Sequence, residues 1–511
     1  MKFWVITDTT LPRINEDMVI LPAFEHDFDG NRAKTESVGH FDSLASGALL
    51  KHASVRGFAG KNGQTMIHFL TSSILAAQKA LLMGVGKSTE VTLQSLQTAV
   101  KEAFKQIGTD KAEQVTFDLK PLLALGLDPF AIGKMISITG HLILYTGLNY
   151  KTRNAPKNKF SKLRVLADAA NAGAILQGLS EGDAIGRSVN FARDLTTMPA
   201  NVLTPVALKN FAQLTEKESA GSIKGKYYDK KKLAKMKANA ILAVNQGSSK
   251  APWMSELTYT PEGGPTKDHL FIVGKSVCFD TGGLDLKPAA GMRFMKRDMA
   301  GGATALAILK AVAALKLPLS VTVILPAVEN MPDGNAFRPG DYIETMSGLT
   351  VEVDNTDAEG RLTLADAITW AKKQGATHMV DFATLTGAVK SIGGDVAAGL
   401  FGNNASFTQL VAETARGQDE QVEVMTMYPE LKDLNASDVA DLSNSGGDLA
   451  GSTTAAWFIR EFAGEETPWV HLDIASVAYR NRAIKLDPRG STGYGVRTGI
   501  ALVQAMAKMQ K

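Results

Sequence analysis

The chain has 511 residues, more than one hydrophobic core usually supports, so two or more domains are expected. Its hydrophobic share of 45% and charged share of 21% exclude the disordered and fibrous classes. A net charge of +3 is too small to indicate binding to nucleic acid or to an anionic membrane. The single cysteine, Cys278, excludes an intrachain disulfide, favours a reducing compartment, and is expected to be buried between apolar neighbours.

The N-terminal apolar run is too short for a secretory signal and ends at Asp8. The longest later apolar stretch, residues 135–148, contains His141 and is shorter than the ~20 residues that a membrane span needs. These two observations predict a cytoplasmic protein without a membrane partner.

Residues 1–160 mix short apolar runs with helical patterns, which predicts a small N-terminal α/β domain. The apolar runs are 3–7, 18–24 and 115–119, and the helical patterns are 66–82 and 91–107. The polar and basic segment 149–160 is typical of a domain boundary. A helical pattern follows over 162–197, and we expect a connecting helix at 161–185.

From residue 268 onward, strand and helix patterns alternate. The predicted strands are 269–273, 320–326, 350–353 and 378–382, and the predicted helices are 300–315 and 363–373. This alternation predicts a larger C-terminal domain with a mostly parallel central sheet covered by helices. Because such sheets bind ligands beyond the carboxyl ends of their strands, polar residues that follow strands are the candidates for the functional site.

Several common motifs are incomplete or absent. Residues 84–89 resemble a phosphate-binding loop, but the glycine required five positions before Gly86 is replaced by Leu81, so we interpret the segment as a helix end and a turn. The eight histidines show no metal-ligand spacing, and no Gly-x-Ser-x-Gly elbow of a serine hydrolase is present. His378 and His471 flank apolar strand patterns and are expected to be core or edge residues.

The first group of candidate residues surrounds a glycine turn at 282–283. Lys275 and Asp280 lie near the end of a predicted strand, and Lys287 follows the turn. Glycines at this place let the backbone approach an ion or a substrate closely. Asp298 stands at the entrance of the next predicted helix, where a role as N-cap would also account for it.

A further group lies in residues 355–362, Asn-Thr-Asp-Ala-Glu-Gly-Arg-Leu, between a predicted strand and an amphipathic helix. In extended backbone, Asp357, Glu359 and Arg361 would point into one pocket, whereas the alternative is a solvated acidic turn. With the two aspartates of the preceding segments, these carboxylates suit hard divalent cations and are enough for two ions ~3.5–4 Å apart. The residues therefore predict a two-metal hydrolase, with Lys287 or Arg361 as the cation that holds a developing oxyanion.

Residues 355–362 closely resemble the signature of the leucine aminopeptidase family of cytosolic metallopeptidases. The resemblance covers roughly residues 186–511 and continues through 190–195, 199–201, 273–287, 295–302, 329–332, 338–341, 383–388 and 446–457. It implies an enzyme that releases N-terminal residues from peptides and assembles as a homohexamer. The first 160 residues show no comparable motif.

By position, the resemblance implies five metal ligands, which are Lys275, Asp280, Asp298, Asp357 and Glu359. One divalent ion, Zn²⁺ or Mn²⁺, would be bound by all of them except Asp357. The second ion would be bound by Asp280, Asp357 and Glu359. For Lys275, a salt bridge with Asp280 or Asp298 is the alternative to metal binding.

The resemblance also implies two catalytic residues. Lys287 would assist the tetrahedral intermediate, and Arg361 would hold a bicarbonate that acts as general base. The implied pocket for the first side chain of the substrate is apolar, which favours leucine and methionine. Its lining residues would be Met295, Thr384, Gly387, Ala475 and Ala478.

Two alternatives stay open. A cation pair could also clamp a phosphoryl group, which would make the chain a phosphoesterase, although no arginine cluster for phosphate is found. A peptidase with an additional DNA-binding or chaperone role is the other alternative, and the near-neutral charge argues against DNA.

Overall fold

The computed structural model describes residues 2–7, 16–28, 35–70, 77–154 and 159–510. The chain forms two compact units, Met1–Arg187 and Ser188–Lys511. Three features of the sequence fall partly outside the described residues: the end of the N-terminal apolar run at Asp8, the middle of the predicted helix at 66–82, and the polar segment 149–160. The domain limits 1–160, 161–185 and 186–511 stay a prediction.

The described part of the first unit contains one sheet with helices on both faces. Its strands are β1 (Lys2–Ile6), β2 (Met18–Phe24), β3 (Thr65–Phe69), β4 (Lys79–Gly86), β5 (Gln114–Asp118) and β6 (Lys162–Leu166). Its helices are α1 (Glu36–Leu44), α2 (Ala48–Val55), α3 (Leu93–Asp110), α4 (Lys120–Leu123), α5 (Pro129–Ile143) and α6 (Ala169–Thr197), the last of which continues into the second unit. The strand order is β1-β6-β5-β2-β4-β3, and β3 alone among the described strands of this sheet runs antiparallel to its neighbour.

The predicted helix at 91–107 is confirmed as α3, which begins at a capping box between Thr92 and Ser95 and buries Val100 and Phe104 against the core. The predicted helix at 66–82 is wrong, since this region contains β3 and the start of β4. For the same reason residues 84–89 do not end a helix, because they complete β4 and enter a short 3₁₀ turn at Ser88–Glu90.

The helical pattern at 162–197 is also only partly correct. Its first residues, Lys162–Leu166, form β6, which pairs with both β1 and β5 in the N-terminal sheet. The helix α6 begins at Ala169 and ends at Thr197. The strand was missed because it has only five residues and lies directly before a long helix.

The second unit, described from residue 188 to residue 510, contains more strands and helices. The strands are β7 (Ile223–Tyr228), β8 (Trp253–Tyr259), β9 (His269–Gly274), β10 (Ser276–Asp280), β11 (Ser320–Asn330), β12 (Tyr342–Glu344), β13 (Thr350–Glu352), β14 (His378–Ala383), β15 (Ala397–Gly402), β16 (Gln421–Val424), β17 (Leu442–Ser443), β18 (Trp469–Asp473), β19 (Tyr479–Arg480) and β20 (Gly490–Ser491). The helices are α7 (Pro205–Glu218), α8 (Lys230–Lys235), α9 (Asn239–Val244), α10 (Ala289–Met292), α11 (Ala300–Ala314), α12 (Glu359–Lys373), α13 (Lys390–Gly393), α14 (Ala405–Gly417), α15 (Gly451–Ala463) and α16 (Val496–Met509).

The main sheet of this unit has the order β16-β15-β18-β14-β9-β11-β8-β7, with β10 also paired to β11. Its centre is parallel, from β18 through β14 and β9 to β11. Helices α9, α12 and α15 cover one face, while α11, α14 and α16 cover the other. The predicted architecture is therefore confirmed, although the predicted strand at 350–353 lies in a separate small sheet, β12-β13-β17.

Buried side chains fill the space between this sheet and its helices. Cys278 is buried, and His471 is a fully buried core residue whose Nδ1 lies 2.6 Å from Asp381 Oδ1, in agreement with the predictions for both. Within the described ranges, none of the helices combines the length and the apolar character that crossing a membrane requires.

Candidate metal centre

Lys275 follows directly after β9, at the carboxyl edge of the main sheet, and is 2% exposed. Its Nζ lies 2.8 Å from Asp298 Oδ2 and 2.8 Å from Glu359 Oε1, and it donates a hydrogen bond of 2.9 Å to the carbonyl of Thr384. A Cβ at Gly360 would come within 2.5 Å of this Nζ, so only glycine leaves room for the amine. The fold thus places a buried lysine amine between two carboxylates.

Asp298 does not cap the following helix. The N-cap of α11 is Met299, which makes no side-chain hydrogen bond to the helix. Instead, Asp298 Oδ1 accepts a hydrogen bond of 2.8 Å from the hydroxyl of Thr384. The alternative explanation of Asp298 as an N-cap is therefore wrong, and its carboxylate faces the Lys275 amine.

The glycine turn brings Asp280 and Lys287 to the same place. Gly282 and Gly283 have φ angles of +88° and +68°, and a Cβ at Gly282 would lie 2.3 Å from the carbonyl oxygen of Asp285. After this turn, Lys287 Nζ lies 2.8 Å from Asp280 Oδ2 and also contacts Asp357 Oδ1. A second lysine therefore sits between a second pair of carboxylates.

Asp357 lies in the turn before α12, and Glu359 and Arg361 lie in the first turn of that helix. The backbone here is not extended, so the argument that these residues share one face of a strand is wrong. Asp357 and Glu359 still offer oxygens within 4.8 Å of each other, whereas the Arg361 guanidinium donates to the carbonyl of Asn444.

Among the residues that the structure describes, one group of acidic side chains has the spacing of a metal site. It consists of Asp280, Asp357 and Glu359, each of which offers an oxygen within 4.8 Å of the others. Next to it, Asp298 Oδ2 and Glu359 Oε1 are buried, and the Lys275 amine faces each of them at 2.8 Å. Buried carboxylate oxygens in a set of hard ligands fit divalent cations.

The charges of the site also fit cation binding. Four carboxylates face two lysine amines, which leaves negative charge in excess. Burial, together with the charges of Asp280 and Glu359, raises the pKa of Asp357 to about 6, although Lys287 opposes this shift. Burial also raises the pKa of Asp298 well above its usual range. Cations bound here would relieve the repulsion among these carboxylates.

The pKa values of the two lysines are raised as well. Burial alone would lower the pKa of Lys275, but the charges of Asp298 and Glu359 outweigh it and raise that pKa. Burial likewise opposes the pKa shift of Lys287, and the charges of Asp280 and Glu359 again raise it. Both amines are therefore protonated at neutral pH in the absence of bound metal.

Arg361 is 9% exposed, and its Nη1 donates a hydrogen bond of 2.7 Å to the carbonyl of Asn444. Its Nε is buried and has no hydrogen-bond partner among the described residues. Burial lowers the pKa of Arg361 to about 10, so the guanidinium remains charged at neutral pH. A buried cation with an unused donor is suited to holding a small anion.

The predicted substrate-pocket residues occupy loops at the carboxyl ends of two adjacent parallel strands, β14 and β18, and a 3₁₀ turn before α11. Thr384 contacts both Asp298 and Lys275, so this part of the pocket touches the acidic cluster. Gly387 is exposed, Ala475 is half-buried, and Ala478 is buried. Met295 lies next to Phe294, whose ring packs on Tyr479, the neighbour of Ala478.

Three residues that support the site were not recognised in the sequence. Asn330, at the end of β11, donates to Asp280 Oδ1 at 2.9 Å and to the carbonyl of Thr356 at 3.0 Å. Asn444 accepts hydrogen bonds from the backbone N–H groups of residues 354 and 355. Asp473, the third of them, is the last residue of β18. Polar residues at strand ends are candidates, and this rule would have identified Asn330 if β11 had been predicted at its full length.

Asp473, the last residue of β18, is fully buried and ties together the loops of the predicted pocket. Its oxygens accept hydrogen bonds from the backbone N–H groups of Leu385, Thr386 and Ala475. The hydroxyl of Thr386 adds another at 2.6 Å. The strand-end rule could have indicated this residue too, but its strand lay beyond the predicted ones.

Comparison with known proteins agrees with this geometry. Residues 190–500 match the model of the cytosol aminopeptidase family, catalytic domain, and residues 20–154 match that family's N-terminal domain. The second match reveals a relationship of the first unit that its sequence motifs did not show. The chain is 34% identical over 517 residues to a probable cytosol aminopeptidase of Alkaliphilus oremlandii, covering 99% of this chain and 100% of the relative.

A probable cytosol aminopeptidase of Pseudomonas paraeruginosa is 38% identical over 452 residues, covering 88% of this chain and 89% of the relative. Among solved structures, a mutant of tomato leucine aminopeptidase has a TM-score of 0.86 at 27% identity, covering 99% of this chain and 96% of that one. The bottromycin maturation enzyme BotP in complex with Mn has a TM-score of 0.81 at 29% identity, covering 96% and 100%.

These matches confirm the resemblance and favour the peptidase over the phosphoesterase alternative. The chain belongs to the cytosol aminopeptidase family and is a metal-dependent hydrolase that removes N-terminal residues from peptides.

Proposed function

We propose that this aminopeptidase prefers leucine-type N-terminal residues and works with two divalent ions, Zn²⁺ or Mn²⁺, in the acidic cluster. The ligands would be Lys275, Asp280, Asp298 and Glu359 for one ion, and Asp280, Asp357 and Glu359 for the other. The observation that supports this most strongly is the spacing of three carboxylate oxygens within 4.8 Å beside the Lys275 amine.

When bound, such ions would polarise the scissile carbonyl and lower the pKa of a water molecule. Lys287 would hold the carbonyl oxygen of the substrate as it gains negative charge, because its raised pKa keeps the amine protonated. Arg361 would hold a bicarbonate through its unused Nε, and the chemistry supplied by this anion would be that of a general base.

Substrate preference follows from the loops next to the cluster. Met295, Ala475 and Ala478 would offer an apolar surface to the first side chain, close to Thr384, whose hydroxyl donates to Asp298 at 2.8 Å. A charged side chain on the first residue of the substrate would find no partner of opposite charge on this surface. We infer that leucine and methionine are preferred at this position.

The free α-amine of the substrate is the second requirement. The acidic cluster has negative charge in excess, which favours a substrate amine as an additional ligand or ion-pair partner. An acetylated N-terminus has neither the lone pair nor the charge. The enzyme would therefore act as an exopeptidase that does not cleave blocked peptides.

The test is to deplete the protein of metal and assay it on a leucine arylamide with each divalent ion added back. N-acetyl-leucine arylamide and an aryl phosphate serve as control substrates under the same conditions. We expect activity to return with Zn²⁺ or Mn²⁺ on the free leucine arylamide only. Equal cleavage of the acetylated substrate, or full activity of the depleted protein, would contradict the proposal.

We further infer, from the family resemblance, that the protein is cytoplasmic and assembles as a homohexamer. Light scattering at micromolar concentration should give a mass close to six chains. A mass near that of one chain would contradict the hexamer.

A further inference from the structure

Asp285 and Thr356 join the two segments that carry most of the predicted metal ligands. Asp285 lies in the glycine turn between Asp280 and Lys287, and Thr356 directly precedes Asp357. The two residues are 71 positions apart in the chain, so their contact is a property of the fold. The proposed reaction gives neither of them a role.

The contact between these two residues is reciprocal. Asp285 Oδ2 accepts a hydrogen bond of 2.7 Å from the backbone N–H of Thr356 and lies 2.9 Å from its hydroxyl oxygen. In return, the hydroxyl of Thr356 accepts a hydrogen bond of 2.9 Å from the backbone N–H of Asp285. The side chain of each residue therefore binds the backbone of the other, and we call this pair of contacts the Asp285–Thr356 clamp.

The clamp lies in a tightly packed part of the site. Thr356 is fully buried, and its hydroxyl oxygen lies 2.6 Å from the carbonyl oxygen of Gly282. A Cβ at Gly283 would approach that hydroxyl oxygen to 2.9 Å, so a glycine is needed for the turn to come this close. The carbonyl of Thr356 accepts a hydrogen bond of 3.0 Å from Asn330, whose side chain also donates to Asp280. A shift of Thr356 would therefore change contacts on both segments.

Asp357 depends on its backbone for its position more than the other predicted carboxylate ligands do. Its side chain is 35% exposed, compared with at most 6% for Asp280, Asp298 and Glu359. Among the described residues, its carboxylate has one hydrogen-bond or ion-pair partner, the Lys287 amine. In the proposed reaction that amine holds the substrate, so the turn that carries Asp357 must be fixed by other contacts.

We propose that Asp285 is a positioning residue for the ion that Asp357 would bind, an inference that rests on the two-metal centre proposed above. Through Thr356, the carboxylate of Asp285 sets where the oxygens of Asp357 lie relative to Asp280, and so it sets the affinity of that ion. The other ion would lie beside Lys275, whose contacts do not involve the clamp. Replacing a residue that holds a metal ligand in place commonly lowers metal affinity about 10- to 100-fold.

Two other roles of Asp285 lead to different expectations. If its negative charge attracted the cations, asparagine at this position would lower metal affinity as much as alanine. If it only stabilised the fold, both variants would unfold more easily and bind metal normally. In the positioning role, the amide oxygen of asparagine accepts the same hydrogen bonds, so Asp285→Asn keeps the metal affinity and Asp285→Ala loses it.

Chelator competition against the complete, Mn²⁺-loaded protein measures the affinity of the bound ions. We expect Asp285→Ala to bind one of its two Mn²⁺ ions at least ~10-fold more weakly and the other with unchanged affinity. Its turnover of a leucine arylamide should fall at limiting Mn²⁺ and return when Mn²⁺ is raised, because the reacting groups are intact. Asp285→Asn should match the wild type in both measurements.

Asp441→Ala is the matched control, because Asp441 forms the same kind of reciprocal contact with Thr350. Asp441 Oδ2 lies 2.8 Å from both the backbone nitrogen and the hydroxyl oxygen of Thr350, and that hydroxyl accepts a hydrogen bond of 3.1 Å from the backbone N–H of Asp441. Both Asp441 and Asp285 are exposed. The contact connects β13 to the residue before β17, and neither segment carries a predicted ligand. Asp441→Ala should therefore bind both Mn²⁺ ions normally.

Melting curves show that each variant is folded before its metal affinity is compared. Unchanged affinity for both ions in Asp285→Ala, beside a wild type that holds two, would overturn the inference and leave the two-metal centre standing. An equal loss of affinity in Asp285→Asn, or in Asp441→Ala, would overturn it too, because charge or general stability would then explain the effect. A wild type that holds fewer than two ions would overturn the two-metal centre, and the inference with it.

Discussion

Replacing Lys275 by arginine separates a metal-binding role of this lysine from a purely structural salt bridge. The amine lies 2.8 Å from both Asp298 and Glu359, which is compatible with either role. Arginine preserves the positive charge, but it cannot lose its proton and become a metal ligand. A salt bridge would largely survive the substitution, whereas a metal site would not.

The expected pH dependence of metal binding follows from the free energy needed to deprotonate the Lys275 amine. At pH 7, removing the proton of a lysine with a pKa near 10.5 costs about 5 kcal/mol, and the raised pKa of Lys275 makes the cost larger. The metal–amine bond must exceed this cost, and binding of the ion that Lys275 coordinates releases one proton from its amine. Metal affinity should therefore fall about tenfold per pH unit as the pH is lowered.

The assay is elemental analysis of purified wild-type and Lys275→Arg protein, combined with turnover of a leucine arylamide. We expect Lys275→Arg to lose tightly bound metal and at least ~99% of the activity, a loss of ~3 kcal/mol or more in transition-state stabilisation. Lys79→Arg alters the ion pair between Lys79 and Asp110 at 2.8 Å, far from the cluster in sequence, and is the control for the exchange itself. Two metals per chain and near-normal turnover in Lys275→Arg would refute the reasoning.

Four further predictions concern single features of the site. Gly360→Ala should displace the Lys275 amine, since its methyl group would lie 2.5 Å from Nζ, and titration should show metal affinity at least ~10-fold lower in a folded protein. Because the pKa of Asp357 without metal is about 6, its carboxylate is increasingly protonated below that pH, and chelator competition should show affinity falling further between pH 6 and 5. Arg361→Lys should lower kcat by ~10²-fold or more, with little change in metal content, and should remove any activation by bicarbonate. Asp473→Asn replaces one of the two oxygens that together accept hydrogen bonds from three backbone N–H groups, and should destabilise the protein by about 1–3 kcal/mol and raise KM more than it lowers kcat, as denaturation and steady-state kinetics would show.

The sequence predicts those parts of the fold in which the apolar pattern is local and regular. The helices α3 and α11 and the strands β9 and β14 lie where their patterns predict them. The helix predicted at 66–82 fails because β4 is buried along almost its whole length. A fully buried strand has no polar alternation, so its apolar residues also satisfy helical spacing.

The candidate site also contains contacts that the sequence could predict and contacts that it could not. Lys275 and Asp280 stand at strand ends, and a parallel sheet brings its strand ends to one edge, so their approach could be inferred from topology. The contact of Lys275 with Glu359 depends on the first turn of α12 and on the missing side chain of Gly360, neither of which a strand pattern contains.

Supporting residues were missed because their partners are distant in sequence. Asn444 binds the backbone at 354 and 355 across about ninety positions, and Asp473 holds Leu385 across 88. No local pattern distinguishes such a side chain from one that faces solvent. Only the folded arrangement shows that these buried polar groups have partners.

Anomalous diffraction from crystals grown with Mn²⁺ tests the two-metal site most directly. We predict two peaks ~3.5–4 Å apart, both within reach of Asp280 and Glu359, with one beside the nitrogen of Lys275 and the other beside Asp357. A single peak, or a Lys275 amine that stays paired with Asp298 while metal binds elsewhere, would contradict the proposed centre.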